Sequence, residues 1–202
     1  MLIDDLKGQK LIKVFQRKEL VELVGVESRN KYEVQAEDGK QIGFVSEQGK
    51  GAMDFVMRNF LGHWRTFELS IFNSDRKQVG KVTNPFRFYF RELNLATDNG
   101  EHAGQIKKKF AFVNKKFQLS LPGGETYQVS SPFWRIWTFP IKRNGKKVAE
   151  IRKVWSGAVK EIFTDADNFE IEFTDPSLSL QAKNLLLAAG VYVDLIYFER
   201  KA

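Results

Sequence analysis

The chain has 202 residues, 43% of them hydrophobic, and its 32 Lys and Arg against 25 Asp and Glu give a formal net charge of +7. It contains no cysteine, which removes disulfides, cysteine-ligated zinc, thiol nucleophiles and S-palmitoylation together. The opening MLIDDLKGQK carries acids early and has no apolar run of signal-peptide length, so a cytoplasmic chain folding as a single domain over residues 1–202 is expected.

In chain order, QKLIKVFQ (residues 9–16) reads as a strand and RKELVELVG (residues 17–25) as a short helix after it. Five hairpins follow. NKYEVQAEDGKQIGFVSE turns at Asp38-Gly39, and FELSIFNSDRKQVGKVTN around Asn73 to Arg76. LNLATDNGEHAGQIKKKF turns near Asn99-Gly100, FQLSLPGGETYQVSS at Gly123-Gly124, and TFPIKRNGKKVAEIRKV at Asn144-Gly145. Gly and Asn supply the positive φ of tight hairpins. The flanking runs alternate, as Phe67, Leu69 and Ile71 do against Glu68 and Ser70, the period of half-buried strands. With NFEIEF (Asn168 to Phe173) the count is about twelve strands.

The last segment, NLLLAAGVYVDLIYFERKA from Asn184, is the most hydrophobic. Its uncharged run from Leu185 to Val193 is nine residues long and is interrupted by Asp194, against the about 20 apolar residues of a membrane-crossing helix. Its apolar residues point around most of a helix, so it must be surrounded. Closing a dozen antiparallel strands into a barrel removes the exposed edges, and a barrel that wide needs a filler. The expected fold is therefore mainly β with a central helix, a closed barrel of about twelve strands around the hydrophobic C-terminal α-helix. Asp194 is expected to pair with a donor on the barrel lining or to sit near a barrel mouth, because an unpaired buried carboxylate is costly.

Charge is uneven. Residues 105–160 hold 13 Lys and Arg against only Glu125 and Glu150, and residues 161–202 hold three basic and eight acidic residues. Such asymmetry points to a polyanionic partner, phospholipid headgroups or nucleic acid; the plain alternative is that these cations solvate the outer face of a sheet. The candidates are Lys107, Lys109, Lys115 and Lys116 in QIKKKFAFVNKKF, and Lys142, Arg143, Lys146 and Lys147 around the Asn144-Gly145 turn. Phe133, Trp134, Trp137 and Phe139 lie between them, as core residues or as groups for a headgroup interface. The two histidines, His63 and His102, fall in turn-like sequence, and no phosphate loop or nucleophile elbow is present. The chain is expected not to be an enzyme and to need no cofactor.

The stretches NKYEVQAEDGKQIGFVSEQ, FTDADNFEIEF and LLLAAGVYVDLIYFE resemble the phospholipid scramblase family, which belongs with the tubby C-terminal and LURP-one-related domains. The resemblance spans about residues 9–199, and SGAVKEIFTDADNFEIEF followed by the apolar tail is its most specific part. It implies a tubby-like closed antiparallel barrel of about 12 strands enclosing a hydrophobic C-terminal helix, association with phospholipid, and movement of lipid between leaflets linked to calcium. Tubby-type relatives hold phosphoinositide headgroups on basic residues. The chain lacks the cysteine clusters of animal scramblases, with NPFRFYFREL where the clusters would be, and it is expected to do without their proline-rich N-terminal extension.

The calcium expectation falls on Asp165 and Asp167. Counted from Asp165 as an EF-hand loop, position 5 is Phe169, position 6 is Glu170 and position 12 is Pro176, which do not match the required ligands and glycine. A weak loop site is the most those two acids imply. The functional expectation is a peripheral membrane protein, monomeric, whose eight cations bind anionic phospholipid headgroups and which the resemblance links to lipid scrambling. The alternative is a soluble nucleic-acid-binding or scaffold protein.

Overall fold

A computed structural model describes residues 2–17, 28–48, 67–84, 92–109, 114–132, 137–154 and 168–197. Twelve strands run in order: β1 Leu11–Gln16, β2 Ser28–Ala36, β3 Gln41–Gln48, β4 Phe67–Asn73, β5 Gln78–Asn84, β6 Glu92–Thr97, β7 His102–Lys109, β8 Asn114–Ser120, β9 Thr126–Pro132, β10 Thr138–Arg143, β11 Lys146–Val154 and β12 Asn168–Phe173. Each pairs antiparallel with its neighbours in sequence, and β1 closes the ring by pairing with β12 in the register Val14↔Phe169. The expected strands, hairpins and closure are all present. The short helix expected over residues 17–25 lies outside the described residues.

Four of the five hairpins share one turn. The backbone N–H of Gly39, Arg76, Gly100 and Gly124 donates to the carbonyl three residues earlier (3.0–3.1 Å), and all four have positive φ. Three-residue loops of this kind end in a left-handed residue. Glycine fills that position in three, whereas Arg76 holds φ 62° in the fourth. The fifth turn is the two-residue Asn144-Gly145, with φ 50° and 79°, the pattern of a type I′ hairpin.

The helix α1, Leu180–Tyr197, runs through the barrel. Ser179 caps it, its Oγ accepting from Ala182 N–H at 3.1 Å, as serine does at helix N-termini. Every residue from Ala182 to Leu195 is buried, which explains an apolar circumference with no polar stripe. Glycines let the helix reach opposite walls. A Cβ on Gly104 of β7 would lie 2.9 Å from Leu185 Cδ1, and one on Gly190 would lie 2.6 Å from the Phe169 ring of β12.

One end of the barrel is stoppered by the N-terminal segment, which the sequence reading did not place. Leu2, Ile3 and Leu6 are buried around a 3₁₀ turn at Asp4–Leu6. Asn184 of α1 holds Ile3 from both sides, accepting its N–H at 3.0 Å and donating to its carbonyl at 3.2 Å. Lys183 Nζ donates to the carbonyls of Leu6 (3.2 Å) and Gln9 (2.6 Å) and lies 4.9 Å from the Phe173 ring centroid. Gly43 and Gly80 provide the room, since a Cβ there would meet Ile3 Cδ1 at 2.7 Å and Leu2 Cδ2 at 2.8 Å.

Candidate functional site

The strands that carry the candidate cations are adjacent, and their register sets the geometry. Inward residues of β7 to β11 are apolar, including Ile106, Phe117, Leu119, Val129, Phe139, Ile141 and Ile151. Alternation therefore turns Lys107, Lys109, Lys116, Gln118, Gln128 and Lys142 outward. Cross-strand partners link Lys107 to Gln118, Gln118 to Gln128, Gln128 to Lys142 and Lys142 to Lys147. This is one continuous row over five strands, about 19 Å at the usual strand spacing. Beside it, Lys109 faces Lys116, which faces Ser130. Two groups of cations that are separate in sequence thus share one flank of the barrel.

Their partners divide the eight. Lys107 pairs with Glu92 at 3.7 Å and Lys147 with Glu150 at 2.7 Å. Arg143 turns aside to bind Glu125 (2.5 Å), Asp175 (2.7 Å) and Ser177 Oγ (2.7 Å). It clamps the β8–β9 turn to the segment leading into α1. Its hydrogen bond to Glu125 raises the guanidinium pKa further, so it stays charged. Burial, reinforced by Glu125, likewise raises the neighbouring Tyr127 phenol. Lys109, Lys116, Lys142 and Lys146 are exposed and have no ion-pair partner among the described residues. Lys115 lies on β8, but its side chain is outside the described residues. Asp165 and Asp167 lie outside them as well.

A second polar region lies inside the barrel, toward the C-terminal end of α1. Asn30, Glu47, Asn84, Ser131 and Asp194 are all buried. Tyr32 OH donates to Asp194 Oδ2 at 2.8 Å, so the odd carboxylate of the helix meets a donor on the barrel lining, as expected. Asn30 Nδ2 donates to Glu47 Oε2 at 2.6 Å, and Asn30 Oδ1 accepts from Gln16 Nε2 at 3.0 Å. Ser131 Oγ donates to the Thr138 carbonyl at 2.7 Å. A cavity of about 10 Å³ lies between α1 and β10 to β12, lined by Phe139, Ile151, Lys153, Phe169, Gly190, Val193 and Asp194. That is room for about one water molecule. Sequence reasoning found Asp194 but missed Asn30 and Glu47, which stand at inward positions of β2 and β3.

The remaining candidates separate cleanly. Phe139 is fully buried in the core, and half-buried Trp137 lies under Lys153 Nζ, 5.2 Å from the ring centroid. His102 is exposed at the first position of β7. His63, Phe133 and Trp134 lie outside the described residues. Among the described residues, no group of three or more His, Cys, Asp or Glu could hold a metal ion, and no helix is long and apolar enough to cross a membrane.

A protein from Arabidopsis thaliana, solved by X-ray crystallography, shares this fold, with a TM-score of 0.51, 13% identity and coverage of 99% of both chains. Phospholipid scramblase 1 of Mus musculus is 32% identical over 204 residues, covering 93% of this chain and 60% of that protein. Phospholipid scramblase 2 of Homo sapiens is 30% identical over 207 residues, covering 94% of this chain and 68% of that one. The chain thus spans 60% of the length of the mouse relative. The scramblase family model matches residues 2–200. The chain belongs to the scramblase family.

Proposed function

We propose that this protein binds anionic phospholipid headgroups at a membrane surface through its basic residues and takes part in moving phospholipid between leaflets. It does so as a cytoplasmic, peripherally associated monomer that breaks no covalent bond. The family match over residues 2–200 carries this reading, and the relatives' names say phospholipid scramblase. The exposed lysines support it physically. Each cation near an anionic bilayer contributes about 1 kcal/mol, so four give measurable, reversible and salt-sensitive binding.

Co-sedimentation with vesicles tests the binding. Affinity should rise with phosphatidylserine content, fall with added salt and vanish on pure phosphatidylcholine. Equal binding to neutral and anionic vesicles would remove the headgroup reading. Lipid movement is tested by reconstitution, with leaflet-selective quenching of a labelled phospholipid, with and without calcium. The Asp165→Asn/Asp167→Asn variant reports whether those acids carry any calcium response.

A further inference from the structure

We infer that the flank formed by β7 to β11 is the face that lies on an anionic bilayer, so that the barrel docks on its side rather than by either end. Gln118, Gln128 and Ser130 are then headgroup-contacting residues alongside the lysines. This rests on the headgroup-binding reading above and specifies its geometry.

Three cross-strand pairs on this flank put like charges opposite one another: Lys109↔Lys116, Lys142↔Lys147 and Arg143↔Lys146. Such pairs oppose folding in the absence of an anion. Glu150 offsets Lys147, and Glu125 and Asp175 offset Arg143. Strands β8, β9 and β10 contain no Asp or Glu at all, leaving Lys109, Lys116, Lys142 and Lys146 for an external anion. Between them stand half-buried or exposed Gln118, Gln128 and Ser130, whose amides and hydroxyl donate hydrogen bonds to phosphate oxygens without adding charge.

Some outer cations on the opposite side are instead neutralised across strands. On the β1–β5 side, Arg17 pairs with Glu33 at 3.0 Å and Lys81 with Glu68 at 2.6 Å. Lys116 and Lys142 are separated by two strand spacings and a step along the strand, about 12 Å in all. That reach exceeds a single headgroup, so the flank engages several lipids at once. The row crosses the strands and follows the barrel's curve, so its middle residues come nearest a flat bilayer. Headgroups, which move laterally, gather beneath the cations on either side, which favours a bilayer over a rigid duplex.

The test uses the full chain and vesicles of phosphatidylcholine with graded phosphatidylserine. Lys109→Gln/Lys116→Gln and Lys142→Gln/Lys146→Gln should each weaken binding about 30-fold and reduce its salt dependence. Gln118→Ala/Gln128→Ala should weaken it severalfold and leave the salt dependence unchanged. Lys40→Gln/Lys77→Gln, which removes the same charge from turns across the barrel, should leave binding within twofold. A site label gives an independent reading, because the chain has no cysteine. An environment-sensitive dye on Gln128→Cys should shift to the blue on anionic vesicles, and one on Gln78→Cys should not.

If the wild-type chain ignores phosphatidylserine, the headgroup reading itself fails. If it binds but the flank doubles match the control double, or the dye shifts only at position 78, that reading stands and the flank inference is overturned. Loss of vesicle binding on adding duplex DNA, with the same four lysines required for both, would reassign the flank to nucleic acid.

Discussion

Arg76 occupies the left-handed position that glycine fills in three sister turns, with φ 62°. A side chain there costs about 1–2 kcal/mol, while glycine returns part of that as entropy of the unfolded chain. Arg76→Gly should therefore stabilise the protein by up to about 1 kcal/mol, read as a higher urea midpoint with unchanged slope. Gly190 is the opposite case. Alanine is worth about 1 kcal/mol over glycine within a helix, but its Cβ would stand 2.6 Å from the Phe169 ring and 3.0 Å from Ile171 Cδ1. Overpacking costs about 1–3 kcal/mol, so Gly190→Ala should be net destabilising by up to about 2 kcal/mol in the same titration. A net gain would mean that the helix and β12 slide apart freely. The turn glycines were legible from Asp-Gly, Asn-Gly and Gly-Gly pairs. Arg76 was not, because its conformation is imposed by strand pairing on both sides and leaves no residue-type signature.

At the scale of elements, the β12–α1 junction shows how much of the fold rests on short polar clips. Asp175 accepts Ser177 N–H at 2.9 Å and Arg143 Nη2 at 2.7 Å. Hydrogen bonds from Ser177, followed by the charge of Arg143, hold the Asp175 carboxyl below the usual aspartate range. A lowered folded pKa means that Asp175 contributes stability above the unfolded value and loses it as the pH falls through the folded one. Asp175→Asn should therefore flatten the acid limb of the stability profile below about pH 4, with urea midpoints converging on wild type at the acid end. A parallel offset at every pH would show that the clip does not titrate. Period-two alternation made the strands legible, but it could not show the buried layer of Asn30, Glu47, Tyr32 and Asp194. Those polar residues sit at inward positions, so they read as breaks in the pattern, and only the closed ring brings them to one end. The same limit applies to the basic flank. Lys107 and Lys142 are far apart in sequence, and they become one row only through the register of β8 and β9.

For the whole molecule, the balance between wall and filler decides whether the barrel exists. Twelve strands enclose a space that their own side chains do not close, and α1 supplies the buried Leu185, Leu186, Leu187, Val191, Tyr192 and Val193 at its centre. Phe117 meets Tyr192 edge-on at 6.1 Å, tying β8 to the helix. The stopper at one end depends on the helix too, because Asn184 and Lys183 hold residues 3 to 9. The wall was readable from hairpins and the filler from its apolar circumference. The stopper was not, since Leu2, Ile3 and Leu6 form no periodic run. Leu186→Ala should cost about 2–5 kcal/mol, the range for emptying a core leucine site, as a lower denaturation midpoint. Deleting residues 184–202 removes the filler and the anchor of the stopper together. The truncated chain should then lose cooperative unfolding and near-ultraviolet circular dichroism, and should bind a hydrophobic dye. If it instead kept a native-like spectrum and one sharp transition, the strands would be self-sufficient, and the helix would be a detachable segment able to act outside the barrel.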